Sequence, residues 1–259
     1  MSEQQTYFCD VSSLGKIRVS GTSAPEFIKV MTTVEPSCLG APGKVAKALV
    51  LNAEGEILDL VMIGRTGECE YLLITHPDTV EEVVEWLSAH AGLKNESKAL
   101  VFDDIKIEDT TAQVGVVALY GREASAILGE LSSADIKAVF GEDHLALITV
   151  GQLQLMVMCW QFLASQTQDK AYEDEGSVYE VFLPIKASED FKDILLGFME
   201  IDPESFDDYK TKRRATHTWF DGAEQAAYVK PETEELRSLL RPSLDFVGAK
   251  ALEQLGLVP

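Results

Sequence analysis

Two carboxylates stand where a buried charge would be costly. Asp59 interrupts the apolar run Leu58-Asp59-Leu60-Val61, and Glu180 lies inside Val178 to Leu183. Each is either a solvent-facing strand residue or a group kept for chemistry, because an unpaired charge in such a run is strongly disfavoured once buried. Alternation places Val178, Glu180 and Phe182 on one face and Tyr179, Val181 and Leu183 on the other, which leaves Glu180 on a partly apolar face. The most basic stretch, Lys210-Thr-Lys-Arg-Arg214, could meet an anionic ligand group and reads equally well as a solvated helix face. His217, Trp219 and Phe220 beside it could form a substrate mouth. Other chemistries find less support. The 4 histidines lack metal-ligand spacing, and Cys9, Cys38, Cys69 and Cys159 form no CxxC pair, so no metal site is expected. Ser12 and Ser13 have no histidine nearby in sequence to activate a nucleophile. Neither GxGxxG nor GxxxxGK[ST] occurs, so the common nucleotide-phosphate loops are missing.

The elements that must position these residues read as strands with interposed helices. Lys16 to Ser20 alternates as a strand, and Pro25 to Met31 reads as a short helix with Ser23 as a possible cap. Val45 to Leu51 and Ile57 to Ile63 flank a turn-like Asn52 to Glu56, and Glu70 to Thr75 adds a third strand, so an antiparallel meander is expected. Thr79 to Ala91 carries Val80, Val83, Val84, Trp86 and Leu87 at helical spacing. The outline then repeats, with strands near Ala99 to Ile107 and Val114 to Tyr120, a helix from Glu123 to Leu131, a hairpin over Leu145 to Phe162, a strand at Val178 to Leu183 and a helix at Ala187 to Met199. Residues 166 to 177 and 202 to 235 read as polar surface loops or short helices. This order predicts an α+β fold with sheets covered on one face.

Composition narrows the partners. Forty-three acidic against 22 basic residues give a formal charge of −21, which repels nucleic acid and anionic lipid, so no nucleic-acid or membrane partner is expected. Leu145 to Gln168 carries no charge and approaches the length of a membrane span, but Thr149, Gly151, Gln152 and Gln154 break it midway into two expected strands. The first residues lack the basic and apolar segments of a signal peptide, and with dispersed thiols this predicts a cytoplasmic protein.

Six short segments resemble one family. Asp10-Val-Ser-Ser-Leu-Gly-Lys-Ile-Arg-Val-Ser-Gly21 is similar to the "DVS-H-M-G" opening of the glycine-cleavage T-protein (aminomethyltransferase) and folate-binding family, and Phe27 to Thr33 to its next helix. Gly43-Lys44 with Leu51 to Asp59 resembles its "GK…LNxxGGhhDD" hairpin. Val117 to Gly121 with Ala124, Tyr179 to Pro184, and Asp245 to Leu252 resemble its "hAhQGPxA", "GYEhxhP" and "DFIGxxAL". The resemblance implies one folate-binding unit over residues 1–259, with three small subdomains of antiparallel sheets and helices (about 1–95, 96–186 and 187–259) in a ring around a folate channel. The family's C-terminal barrel is not expected, since the chain ends soon after the last match.

The resemblance also implies tetrahydrofolate as cofactor. Asp59 would be the catalytic residue beside the reduced amines, and Glu180 would hydrogen-bond the pterin, whose edge of adjacent donors suits a carboxylate. Val11, Leu14 and Tyr120 could line a pterin slot, although such residues are more often core, and Arg214 with its neighbours could meet the glutamate tail. Lys47 replaces the family's aromatic residue ahead of the hairpin and Leu60 its second aspartate. Its "TGYTGE" has no counterpart before Glu180, and its "ARDxLRLE" is barely traceable around Asp208 to Arg214. The "KGCYxGQ" of the related iron–sulfur repair proteins is not found. The function expected is therefore a tetrahydrofolate-dependent methyl or aminomethyl transferase, taking the group from a small donor or from a corrinoid or lipoyl carrier protein. The alternative is a non-catalytic folate-binding regulatory or partner subunit.

Overall fold

Antiparallel pairing of apolar strands organises the chain. The computed structural model of the protein describes residues 6–141, 143–161, 177–215 and 229–257. In chain order these form β1 (Thr6–Asp10), β2 (Gly15–Ser20), α1 (Ala24–Met31), β3 (Val45–Leu51), β4 (Ile57–Gly67), β5 (Glu70–Thr75), α2 (Val80–Ala91), β6 (Lys106–Asp109) and β7 (Val114–Tyr120). There follow α3 (Ala124–Ser132), α4 (Ile136–Val139), β8 (His144–Val150), β9 (Leu153–Gln161), β10 (Ser177–Pro184), α5 (Ser188–Leu195), β11 (Ile201–Pro203), α6 (Phe206–Ala215), α7 (Glu234–Arg237) and α8 (Ala249–Gln254). The class is α+β. Two compact units result, one from Met1–Ser13 with Thr111–Trp219 and one from Leu14–Thr110 with Phe220–Pro259.

The first unit holds a sheet in the order β11-β1-β7-β10-β9-β8, antiparallel except for the β1–β11 pair. Tyr179, Val181 and Leu183 of β10 join Ile127 and Leu128 of α3 and Phe191 and Leu195 of α5 in one core. Each such side chain contributes about 1.5–3 kcal/mol by leaving water. From Leu145 to Gln161 the uncharged run folds as the β8–β9 hairpin, and its remaining residues lie outside the described ones. No helix among the described residues is long and apolar enough to cross a membrane.

The second unit holds a sheet in the order β3-β4-β5-β2-β6. The expected meander is β3-β4-β5. Helices α1 and α2 cover one face, burying Phe27, Ile28, Val83 and Leu87 against Val50, Val61 and Leu73. On strands β3 and β4 the other face is covered too, where Leu49, Leu51 and Ile57 meet Leu240, Phe246 and Leu252. One-face coverage therefore understates this unit.

Three local expectations are revised. Residues 99–105 form no strand, and β6 begins only at Lys106. Their carboxylates are engaged elsewhere, because Asp104 accepts from the Thr22 amide and hydroxyl at 2.8 Å each and Asp103 from the Ser23 hydroxyl at 3.0 Å. Ser23 precedes α1 as expected but makes no side-chain cap, its hydroxyl being given to Asp103. Helix α5 stops at Leu195 rather than Met199.

Candidate functional site

Asp59 shares the strand face of Val61 and Ile63, towards α1 and α2, and is 1% exposed. Its Oδ1 accepts from the Leu60 amide at 2.8 Å, and its Oδ2 accepts from the His76 amide at 2.8 Å and the Thr79 hydroxyl at 2.7 Å. These three donors occupy most of a carboxylate's acceptor capacity. They tie β4 to the turn that starts α2. Leu60, pointing the other way, packs with the Leu49 cluster. Leu14 belongs to this end of the sheet, since the next residue, Gly15, pairs with Thr75 just before His76. It is 1% exposed. Gly15 is required there because a Cβ would stand 2.0 Å from Thr75 Oγ1. Lys16 of β2 is fully buried as well, a burial that strand alternation did not signal.

In the first unit, Glu180 lies on the face of β10 opposite the core of Tyr179 and Val181, as alternation predicted, and is fully buried. Its Oε1 accepts from the Tyr209 hydroxyl of α6 at 3.0 Å. The Tyr209 ring lies 5.6 Å from that of Tyr120, which lies 5.9 Å from that of Tyr7. Tyr120 is buried and donates its hydroxyl to Glu204. The structure thus brings Glu180 and Tyr120 together through Tyr209. Val11, in the same unit, is buried and donates its amide to Val116 at 2.9 Å. Arg214 belongs to α6, with its side chain outside the described residues, as are His217, Trp219, Phe220 and most of the acidic loop before Glu180.

Sequence reasoning missed Tyr209, His76 and Thr79. Thr79 ahead of an acidic helix start is a cap signal that could have marked the turn. A lone tyrosine in the polar run Asp207 to Arg214 marks a buried contact only weakly. A cleft of about 220 Å³ in the second unit lies between Ile28, Val34, Leu39, Arg65 and Tyr71 and includes none of the expected site residues.

Segments that match the family also hold the scaffold. Gly248, within Asp245 to Leu252, has φ +86°, and a Cβ there would lie 2.6 Å from the Asn52 carbonyl of the β3–β4 hairpin. Asp245 accepts from Arg241 Nε at 2.8 Å.

Residues 2–173 match the family model described as the GCVT N-terminal domain. The chain belongs to that family. Over 130 residues it is 28% identical to an aminomethyltransferase of Bacillus subtilis (strain 168) and 30% identical to one of Geobacillus thermodenitrificans (strain NG80-2). Each match spans 50% of this chain and 33% of the relative. The solved glycine cleavage system aminomethyltransferase T from Bartonella henselae superposes with a TM-score of 0.70 at 18% identity, covering 98% of this chain and 64% of that one. That likeness is one of fold. The family resemblance and the α+β expectation both hold.

Proposed function

We propose that this chain is a tetrahydrofolate-dependent one-carbon transferase, passing a methyl or aminomethyl group from a small donor or a lipoyl-bearing carrier protein to folate. The observation that carries the reading is Glu180, a fully buried carboxylate fixed by a buried tyrosine in a member of the GCVT N-terminal domain family. A pterin edge of adjacent N–H donors fits such an acceptor, and pairing is strongest where water is excluded. When bound, the reduced folate would supply the nitrogen that accepts the one-carbon unit. Asp59 would stabilise positive charge beside that nitrogen, held in orientation by Leu60, His76 and Thr79. Leu14 and Tyr120 would contribute apolar walls, and Arg214 would meet the glutamate tail in an otherwise acidic protein. Relatives named aminomethyltransferases, one of them from a glycine cleavage system, favour a lipoyl carrier over a corrinoid one. A cytoplasmic location belongs to the same proposal.

Isothermal titration with tetrahydrofolate under reducing conditions tests it. Binding at sub-millimolar concentration is expected, and its absence sinks the reading. One observation favours the non-catalytic alternative, namely that three donors of its own chain already engage Asp59. Incubating the protein with tetrahydrofolate and candidate donors decides between the two, since only a transferase forms methyl- or methylene-tetrahydrofolate.

A further inference from the structure

Helix α6 is polar almost throughout, Phe-Asp-Asp-Tyr-Lys-Thr-Lys-Arg-Arg-Ala, yet Tyr209 within it is fully buried. Burial alone would be served as well by leucine or phenylalanine, and a phenol gains only where its hydroxyl finds an acceptor. That acceptor is Glu180, 29 residues earlier in sequence and also fully buried. We infer that Tyr209 is a positioning residue, whose hydroxyl fixes the direction in which the Glu180 carboxylate is presented to ligand. This rests on the folate reading of Glu180.

A glutamate has three side-chain torsions, and holding them costs rotamer entropy. Pairing with a planar ligand edge needs the carboxylate plane set beforehand, or that cost is met at binding. Tyr209 sets it by donating to Oε1. The phenol is itself immobilised, its ring against Tyr120, whose hydroxyl is held by Glu204 and whose ring meets Tyr7. Support runs from β1 through β7 to α6 and ends on one carboxylate oxygen. The same contact anchors the helix that carries Lys210 to Arg214, so the proposed pterin contact and the basic run share one mounting.

The test is a double-mutant cycle on tetrahydrofolate affinity, using wild type, Tyr209→Phe, Glu180→Gln and the double variant, with thermal midpoints taken alongside. Tyr209→Phe should weaken binding about tenfold, the scale of one hydrogen bond to a charged group. In the Glu180→Gln background the same change should cost less than about twofold, because its effect passes through the carboxylate. A general loss of packing would lower affinity equally in both backgrounds, and that result overturns the inference. If wild type binds and Glu180→Gln does not weaken it, the positioning role fails while folate binding stands. If wild type does not bind, both fail. Should Tyr209→Phe not fold, 3-fluorotyrosine at position 209 keeps the ring and strengthens the donor. Tighter binding is then expected, and unchanged affinity overturns the inference.

Discussion

Replacing Asp59 by Asn turns one carboxylate oxygen into an NH2, and either way round that group meets a backbone N–H, from Leu60 on one side or His76 on the other. Two donors then face each other in a buried site. Asp59→Asn is therefore expected to destabilise the protein by about 2 kcal/mol despite its matching shape, with Thr79→Ala costing about 1 kcal/mol, both read from urea unfolding midpoints. An unchanged Asp59→Asn midpoint would show that these bonds do not hold the turn. Any loss of transfer in that variant must be measured well below its unfolding temperature. In the sequence, Asp59 stood out because a charge interrupts an apolar run. Its partners did not, since His76 and Thr79 lie 17 and 20 residues away and meet it only once β4, β5 and α2 are assembled. Tyr209 was hidden for a similar reason, its burial depending on β10 rather than on anything in its own helix.

Between elements, Arg241 makes the most demanding connection among the described residues of the second unit. Its guanidinium donates to the carbonyls of Lys29 at 2.6 Å and of Thr32 and Val34 at 2.9 Å, closing the end of α1, while Nε reaches Asp245 at 2.8 Å and the group lies 5.1 Å over the Phe246 ring. Lysine offers three donors on one atom and cannot span these acceptors. Arg241→Lys should cost about 3 kcal/mol, the range for breaking a buried charged network, and a urea midpoint shift below a third of that would argue that water replaces the fork. Elements bounded by turn residues were legible in advance: β3, β4, β5, β7 and the β8–β9 hairpin follow from alternation and from Asn52 to Glu56 and Gly151-Gln152. The stretch 99–105 was not, because its strand-like Ala-Leu-Val-Phe is outweighed by two aspartates that turn back to Thr22 and Ser23.

For the whole molecule, a formal charge of −21 sets how stability responds to salt and acid. Raising NaCl from about 10 to 150 mM shortens the screening length from roughly 30 to 8 Å and should raise the thermal midpoint, because general repulsion outweighs the few surface ion pairs that salt weakens. A falling midpoint would reverse that ranking. Acid brings two opposed effects. Burial alone pushes Asp10 up, but Lys192 and Ser12 together hold it below 3.8, while Ser243, then Lys29 and Arg241, hold Asp245 below the same value. Groups lowered by folding stabilise above their unfolded value and lose that contribution as pH falls through the folded one. Scanning calorimetry should therefore show the midpoint rising from pH 7 towards about 5 as charge is relieved, then falling below about 3.8. A steady rise to pH 2 would mean that the paired aspartates add nothing. The six family-like segments were legible as a set. The division into two units was not, because it depends on which strands pair across long stretches of chain.

That division has a consequence for synthesis. Strand β1 is made before every other described strand, yet its partners are β7 and β11, with Phe8 opposite Leu119 and Thr6 opposite Ile201. Residues 14–110 supply a complete five-stranded sheet in one continuous stretch, so it can close while β1 still has an open edge. Strand β1 therefore stays without its ladder partners through the emergence of about a hundred intervening residues, and the second unit in turn still awaits Leu240, Phe246 and Leu252, which cover β3 and β4 on their other face.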